Sequence, residues 1–255
     1  MKYYIVDAFS DTLFKGNPAG VCLPDKPLSD EQMQSIAFEN NLSETAFVTG
    51  QDGAYSLRWF TPSVEIDLCG HATLASGFVL SLLNPGYSKF VFQTKSGMLT
   101  VTHSGEDFFL NFPSRPPVPC DKPALLEEAL GVRVLETHMA RFLLVLLESQ
   151  SAVLTVKPNF ELLKETGADV IITAKGEETD FVSRFFAPLV GINEDPVTGS
   201  AHCTLIPYWS ERLGKKEMTA RQLSQRGGSL RCVDEGERVS IGGKAVLYLQ
   251  GEIML

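Results

Sequence analysis

The stretch Arg58-Trp59-Phe60-Thr61-Pro62-Ser63-Val64-Glu65-Ile66 returns 126 positions later as Arg184-Phe185-Phe186-Ala187-Pro188-Leu189-Val190-Gly191-Ile192. The residue types that recur stand at alternate positions: Arg58, Phe60, Pro62, Val64 and Ile66 each meet their own kind. Identity with a period of two is what two equivalent extended segments retain, because one face packs while the other is free to vary. The repeat therefore predicts a duplicated fold.

A proline-rich segment lies near the midpoint of the chain. Five of the eleven residues from 113 to 123 are proline, which fixes φ and cannot donate to a β ladder, so an extended connector is expected. We expect an N-terminal half over 1–113, which the last C-terminal residues could rejoin, a linker over 114–123 and a C-terminal half over 124–255. The alternative is a long surface loop inside one domain.

Composition excludes several classes of protein. The chain has 255 residues, with 22 basic and 31 acidic side chains and a formal net charge of −9, so its far field repels nucleic acid and anionic membranes. It contains no apolar run of membrane-spanning length and no signal peptide. Its five scattered cysteines include no CxxC pair, which favours a reducing cytoplasm over a disulfide framework or a zinc ribbon. We expect a soluble, cytoplasmic, globular protein.

Most local sequence patterns predict short strands, and the few predicted helices indicate how each half is organised. A capping box at Ser29 predicts a helix to about Asn40, and 158–165 should be its counterpart in the second half. Residues 72–83 are apolar or small on every side, which is typical of a helix buried all round. Residues 200–213 form the equivalent helix, which Pro207 should kink or divide. Each half is therefore expected to be one central helix inside a curled sheet.

The two central helices begin at related turns, Cys69-Gly70-His71-Ala72-Thr73 and Asp195-Pro196-Val197-Thr198-Gly199-Ser200. The first amides of a helix lack intrahelical partners and carry partial positive charge, so such an end suits an anion. Two such ends facing a cleft would hold a small carboxylate. The alternative is that each turn is only a helix cap, with Asp195 either capping its helix or orienting a substrate amine.

Other side chains near these turns are candidates for proton transfer. Glu44 begins an apolar strand, where partial burial would raise its pKa and suit a proton shuttle; the alternative is a solvated strand end. His71 should be neutral and hydrogen-bonded beside a helix N-terminus. Cys69 is either a thiolate base or an inert buried thiol. Gln225 lies in a polar turn that forms either a hairpin or a wall of the cleft.

Cofactor motifs are absent from the sequence. The four histidines show no spacing with acids or cysteines that would indicate a transition-metal site. There is no GxGxxG, Walker or GxSxG motif. We expect neither a metal nor a cofactor.

The chain resembles the PhzF-like, phenazine biosynthesis-like family, which shares the fold of diaminopimelate epimerase. The resemblance extends over nearly the whole chain, in order and spacing. The matching motifs are Val6-Asp7-Ala8-Phe9, Gly16-Asn17-Pro18-Ala19-Gly20-Val21, Asn41-Leu42-Ser43-Glu44-Thr45-Ala46-Phe47, Arg58-Trp59-Phe60-Thr61-Pro62, Leu68-Cys69-Gly70-His71-Ala72-Thr73, Asn193-Glu194-Asp195-Pro196-Val197-Thr198-Gly199-Ser200-Ala201 and Gln225-Arg226-Gly227.

The resemblance implies an α+β, diaminopimelate epimerase-like fold: two similar half-domains, each a β-barrel-like sheet around a central helix, with the active site in the cleft between them. It implies an isomerase that moves a proton within a small carboxylated substrate without a cofactor, and a homodimer in the manner of the family. Glu44 matches the family's acid/base. The substrate-contacting positions are Gly70, His71, Asp195, Gly199 and Ser200.

One comparison within this fold does not fit. Diaminopimelate epimerase and its relatives use two cysteines, one on each helix turn, to act on opposite faces of Cα. Cys69 occupies one of these positions and we assign the other to Asp195, which disfavours two-thiol racemisation. The alternatives to the isomerase are an amino-acid racemase or epimerase that uses Cys69, and a non-catalytic protein that binds small acids.

Overall fold

The structure is a computed structural model that describes residues 1–255. The chain divides into two units, Met1–Asn111 with Gly242–Leu255, and Phe112–Ile241. The last C-terminal residues thus belong to the first unit, the arrangement that the expectation allowed, and not to the second. The C-terminal strand joins the first unit because it pairs antiparallel with the first strand of the chain along its length, from Lys2 opposite Glu252 to Ala8 opposite Ala245.

The first unit is mostly strand, with two helices. Its elements are β1 (Lys2–Ala8), β2 (Asn17–Leu23), α1 (Asp30–Asn40), β3 (Glu44–Gln51), β4 (Ala54–Phe60), β5 (Glu65–Ile66), α2 (Gly70–Leu83), β6 (Lys89–Thr94), β7 (Gly97–Ser104), β8 (Asp107–Pro113), which runs over the unit boundary, and the C-terminal β18 (Ala245–Glu252).

The sheet of the first unit curls around α2. The strands run in the order β18, β1, β2, β3, β4, β6, β7 and β8, with parallel pairing at β2–β3 and β4–β6 and antiparallel pairing elsewhere. The apolar helix α2 packs against β1, β2, β3, β7 and β18 and is buried from Gly70 through Gly77. The burial expected from its missing polar face is confirmed.

Helix α1 lies on the other face of this sheet. Its capping box forms as expected: the Ser29 side chain accepts from the Gln32 amide, and the Gln32 side chain accepts from the Ser29 amide. Met33 and Ile36 pack with Tyr3 and Phe47 in a core cluster distinct from the surroundings of α2. The helix ends at Asn41, whose αL conformation closes the last turn. This ending sets the short connection into β3 and Glu44.

The second unit repeats the pattern of the first. Its elements are β9 (Val118–Pro119), α3 (Leu126–Leu130), β10 (Glu136–Met139), β11 (Leu143–Leu146), α4 (Gln150–Thr155), α5 (Phe160–Lys164), β12 (Val170–Lys175), β13 (Phe181–Ala187), a 3₁₀ turn (Pro188–Val190), β14 (Ile192–Asp195), α6 (Gly199–Leu213), β15 (Glu217–Gln222), β16 (Gly228–Asp234) and β17 (Arg238–Gly243), which runs over the other unit boundary. No helix of the chain is both long and apolar enough to cross a membrane.

The strand order of the second unit matches that of the first. Strands β10 to β13 and β15 to β16 pair as β1 to β4 and β6 to β7 do, with parallel pairing at β11–β12 and β13–β15. Strand β13 contains Arg184 and β4 contains Arg58, so the repeated sequence occupies the same strand of each unit. The expected fold, with two similar halves each built around a central helix, is confirmed.

The repeated arginines make the same contacts in both units. Arg58 binds both carboxylate oxygens of Glu65 at 2.7 Å, and Arg184 binds those of Glu194 at 2.7 and 3.0 Å. Each guanidinium also lies over the phenylalanine two positions later, Phe60 or Phe186. Bidentate pairing combined with ring stacking needs a planar guanidinium, which explains why both halves have arginine here.

Pro207 does not divide α6, which continues from Gly199 to Leu213. A proline cannot donate to the carbonyl four residues earlier, which here belongs to Cys203. The amide of Arg115 donates to that carbonyl at 2.9 Å instead. The connector expected over 114–123 is therefore held in place by the fold. This segment belongs to the second unit, where β9 pairs with β10 and Arg115 binds the central helix.

Candidate active site

Glu44 is the first residue of β3 and is only 8% exposed. The parallel pairing of β2 with β3 places it opposite Ala19. Its Oε2 atom lies 3.1 Å from Nε2 of His71. The approach is too poorly aligned for a hydrogen bond, and neither buried atom has another hydrogen-bond partner. Catalytic hydrogen bonds are often long or misaligned before substrate binds, so the geometry leaves both atoms available for chemistry.

Cys69, Gly70 and His71 form the N-terminal turn of α2, as the sequence predicts. Cys69 is the N-cap and its side chain makes no capping hydrogen bond, while Gly70 is the first helical residue. The Nδ1 atom of His71 lies 3.2 Å from Nδ2 of Asn17 and 3.6 Å from Sγ of Cys69. The imidazole therefore has Glu44 at one ring nitrogen and two further groups at the other.

Burial and charge set the protonation of this cluster. Burial acts to lower the pKa of His71, but the charges of Cys69 and Glu44 oppose it and bring the pKa well above its ordinary value. Burial, followed by the charge of Glu44, raises the pKa of the Cys69 thiol. This arrangement weighs against a thiolate base at Cys69.

The same three side chains are the donors that a transition metal would use. The ligand atoms of Glu44, Cys69 and His71 all lie within 4.8 Å of one another, a grouping that the sequence spacing did not suggest. Glu44 and Cys69, however, approach opposite nitrogens of the imidazole. A metal ion takes one nitrogen of a histidine together with a deprotonated thiol, so this arrangement is suited to relaying protons rather than to chelating a metal.

A second polar cluster lies at the start of α6, in the second unit. Asp195 is the buried last residue of β14, and its Oδ2 accepts a hydrogen bond from the Thr198 hydroxyl. Gln222, the fully buried last residue of β15, accepts from the Thr198 amide at 2.9 Å. It also donates to the carbonyl oxygen of Asp195 and to the Thr198 hydroxyl. These bonds hold the turn that carries Asp195.

The turns of the two units correspond through their helix starts. Thr198 is the N-cap of α6 and Gly199 its first helical residue, as Cys69 and Gly70 are for α2. The residue equivalent to Cys69 is therefore Thr198, and the assignment of that position to Asp195 is wrong. The offset of 126 positions found for the repeat pairs Cys69 with Asp195, and it fails here because the connection before α6 is three residues longer than that before α2. A second thiol is absent in either alignment.

The remaining candidates fall at the same turn or beside it. Gly199 is buried and Ser200 half-buried, in the first turn of α6. Gln225 is exposed in the loop after β15, whereas Gln222, which the sequence did not single out, makes the contacts with the turn. Its position at the inward-facing end of an alternating strand was the one signal that could have identified it. Asn17 was likewise missed as a site residue.

The starts of the two central helices differ from those of the other α-helices. Side chains of Ser29, Ser149 and Asn159 cap α1, α4 and α5. The helix α3 lacks a side-chain cap, but it has acidic residues in its first turn. The central helices α2 and α6 have no side-chain cap and no acidic residue in the first turn. Amide groups at such ends suit an anion, and an anion site at these turns stays a prediction.

Comparison with known proteins agrees with the sequence and the fold. The family model described as phenazine biosynthesis-like protein, PhzC-PhzF, matches residues 6–251. A Pseudomonas aeruginosa protein named as an uncharacterized isomerase is 50% identical over 257 residues, covering 100% of this chain and 99% of that protein. These relatives agree with the expectation that the chain is an enzyme of the isomerase class.

Solved structures give the same result for the fold. The crystal structure of a PhzF-family phenazine biosynthesis protein from Enterococcus faecalis matches with a TM-score of 0.97 at 47% identity, covering 100% of this chain and 99% of that one. A hydroxyproline epimerase from Agrobacterium vitis, with bound trans-4-hydroxy-L-proline, matches with a TM-score of 0.70 at 11% identity, covering 98% and 91%. The second likeness shows the fold alone. The chain belongs to the phenazine biosynthesis-like, PhzC-PhzF family.

Proposed function

We propose that the protein is a cofactor-independent isomerase that moves a proton within a small carboxylated substrate, with Glu44 as the general acid and base. The observation that carries this proposal is the buried contact between Glu44 and His71 beside the uncapped start of α2. A carboxylate that is withdrawn from water and held next to a proton donor can take a proton from carbon and return it. Relatives named as isomerases support the reaction class.

The negative charge that develops on the substrate during this reaction must be stabilised by groups close to it. The net charge of the chain is −9, so long-range attraction cannot hold an anion, and we assign that role to helix amides. Gly70 supplies an amide at α2, and Gly199 and Ser200 supply amides at α6. Each well-placed donor to a developing oxyanion is worth about 3 kcal/mol. His71 and Asp195 contact the substrate in this proposal.

The proposal predicts that Glu44→Gln lowers proton exchange by about 10²-fold or more, because general acid–base groups contribute about 10²–10⁴-fold. The measurement is deuterium incorporation from D₂O, followed by NMR, into a panel of β,γ-unsaturated carboxylic acids and α-amino acids. The matched control is Glu39→Gln, which changes an exposed acid on α1. Full exchange in Glu44→Gln would eliminate this role.

The same panel separates the two alternatives. A racemase using Cys69 predicts that Cys69→Ser stops exchange at Cα of an amino acid, while Glu44→Gln retains it. A binding protein predicts that a panel member raises the melting temperature but that no panel member takes up deuterium. The raised pKa of the Cys69 thiol and the uncommitted carboxylate oxygen of Glu44 favour the isomerase over both.

A further inference from the structure

Asn17 is a fully buried polar residue that the proposed reaction does not yet use. It is the first residue of β2 and lies 54 positions before His71 in the chain. Its side-chain amide nitrogen is 3.2 Å from Nδ1 of His71. An amide nitrogen is a donor only, and a neutral imidazole has one donor and one acceptor nitrogen. This contact therefore needs the lone pair of the ring at Nδ1.

The consequence appears at the other side of the ring. With its lone pair at Nδ1, the neutral imidazole must carry its proton on Nε2. That nitrogen is the one that lies 3.1 Å from Oε2 of Glu44. In the neutral ring, the proton thus lies on the side that faces the carboxylate rather than on the opposite side. A proton in this position can be donated to the carboxylate once the approach tightens on substrate binding.

We propose that Asn17 is a positioning residue that fixes the neutral tautomer of His71, with the proton on Nε2 facing Glu44. This role rests on the function proposed for Glu44, because the tautomer of His71 determines whether a protonated or an unprotonated nitrogen faces Glu44. Glu44 and Cys69 are the titratable groups that face the ring. Cys69 is the other group within reach of Nδ1, at 3.6 Å, so the experiment must separate the two.

The test is ¹⁵N NMR of the His71 ring in the full-length protein without substrate, at a pH above the titration midpoint of the ring. In the wild type, we expect the hydrogen on Nε2 and an unprotonated Nδ1. In Asn17→Asp, where a carboxylate accepts at Nδ1, we expect the hydrogen on Nδ1. Cys69→Ala keeps the amide donor and should keep the wild-type tautomer. A wild-type ring protonated on Nδ1 overturns the proposal without any variant.

Two further results would also overturn it: an unchanged tautomer in Asn17→Asp, or a tautomer that changes in Cys69→Ala. In the exchange assay, Asn17→Asp should lower the maximal rate at least about tenfold and displace the pH profile. For scale, a wrong histidine tautomer in a serine-protease triad lowers kcat by about 10⁴-fold. Because the NMR spectrum is recorded without substrate, a failure of the Asn17 proposal can be distinguished from a failure of the proposed function. Full exchange in Glu44→Gln rejects the proposed function, and the ring spectrum judges Asn17 separately.

Discussion

Two histidines in the first turns of the central helices have opposite properties because their neighbours differ. His71 faces a carboxylate, which raises its pKa against the effect of burial. His202 is fully buried and packs beside Phe181. Its Nδ1 lies 2.8 Å from the Thr198 carbonyl, and its Nε2 has no hydrogen-bond partner. Burial lowers the pKa of His202 to about 4, opposed only by the bond to Thr198.

His202 should therefore make folding sensitive to acid. The unfolded ring binds a proton below about pH 6.5 but the folded ring only near pH 4, so its contribution is intact above pH 6.5 and is lost as the pH falls towards 4. The loss is about 3 kcal/mol. Urea unfolding at pH 7 and pH 4.5 should show a smaller loss for His202→Asn, which keeps a donor but cannot titrate. Equal losses in both proteins would contradict this assignment.

At the scale of elements, the central helix α2 depends on a close approach to the sheet. Gly77 lies in the middle of α2, and a Cβ added there would come 2.5 Å from Cγ1 and 2.9 Å from Cβ of Val101 on β7. The glycine costs helix propensity, about 1 kcal/mol relative to alanine. It is retained here because the helix must fit inside the curled sheet.

Gly77→Ala should consequently destabilise the protein by about 1–2 kcal/mol, since overpacking costs about 1–3 kcal/mol and outweighs the gain in propensity. Chemical denaturation measures the change. Gly86→Ala is the matched control, because a Cβ there meets no atom within 4 Å. Adding Val101→Ala should recover part of the loss in a double-mutant cycle. Stabilisation by Gly77→Ala would contradict this prediction, because it would show that Val101 can move away from the added Cβ at little cost.

At the scale of the whole molecule, duplication explains the paired features. Both units have the same strand order, an arginine–glutamate pair on equivalent strands and an uncapped central helix. The polar clusters at the two helix starts have nevertheless diverged. Cys69, His71 and Glu44 form a buried cluster of titratable side chains, whereas Thr198, Asp195 and Gln222 form a hydrogen-bonded turn.

The homodimer implied by the resemblance stays a prediction. Apolar side chains that are more than half exposed, such as Phe14 and Tyr248, lie in contact on the first unit and would be covered in an assembly. Light scattering coupled to gel filtration should give twice the chain mass of 28.0 kDa. A mass of one chain across micromolar concentrations would contradict a dimer.

The sequence alone determined the duplication, the central helices and the turns at which they begin. These features follow from local rules: a period of two in β4 and β13, a helix without a polar face, and a capping box at Ser29. The motifs also identified Glu44, His71 and Asp195 as candidate site residues. The strand and helix inferences use residues that are neighbours in the chain, where periodicity and capping act. The duplication came from comparing two segments 126 positions apart, and the roles of the site residues came from the family resemblance.

Tertiary structure decided which distant side chains meet. Asn17 reaches His71 across 54 positions and Gln222 reaches Thr198 across 24, and no local pattern encodes either contact. The offset of 126 positions pairs Cys69 with Asp195, but the helix starts pair it with Thr198. The proline-rich connector is anchored by the carbonyl of Cys203. Pro207 leaves this carbonyl without a helical partner, and it accepts from the Arg115 amide only when α6 is folded.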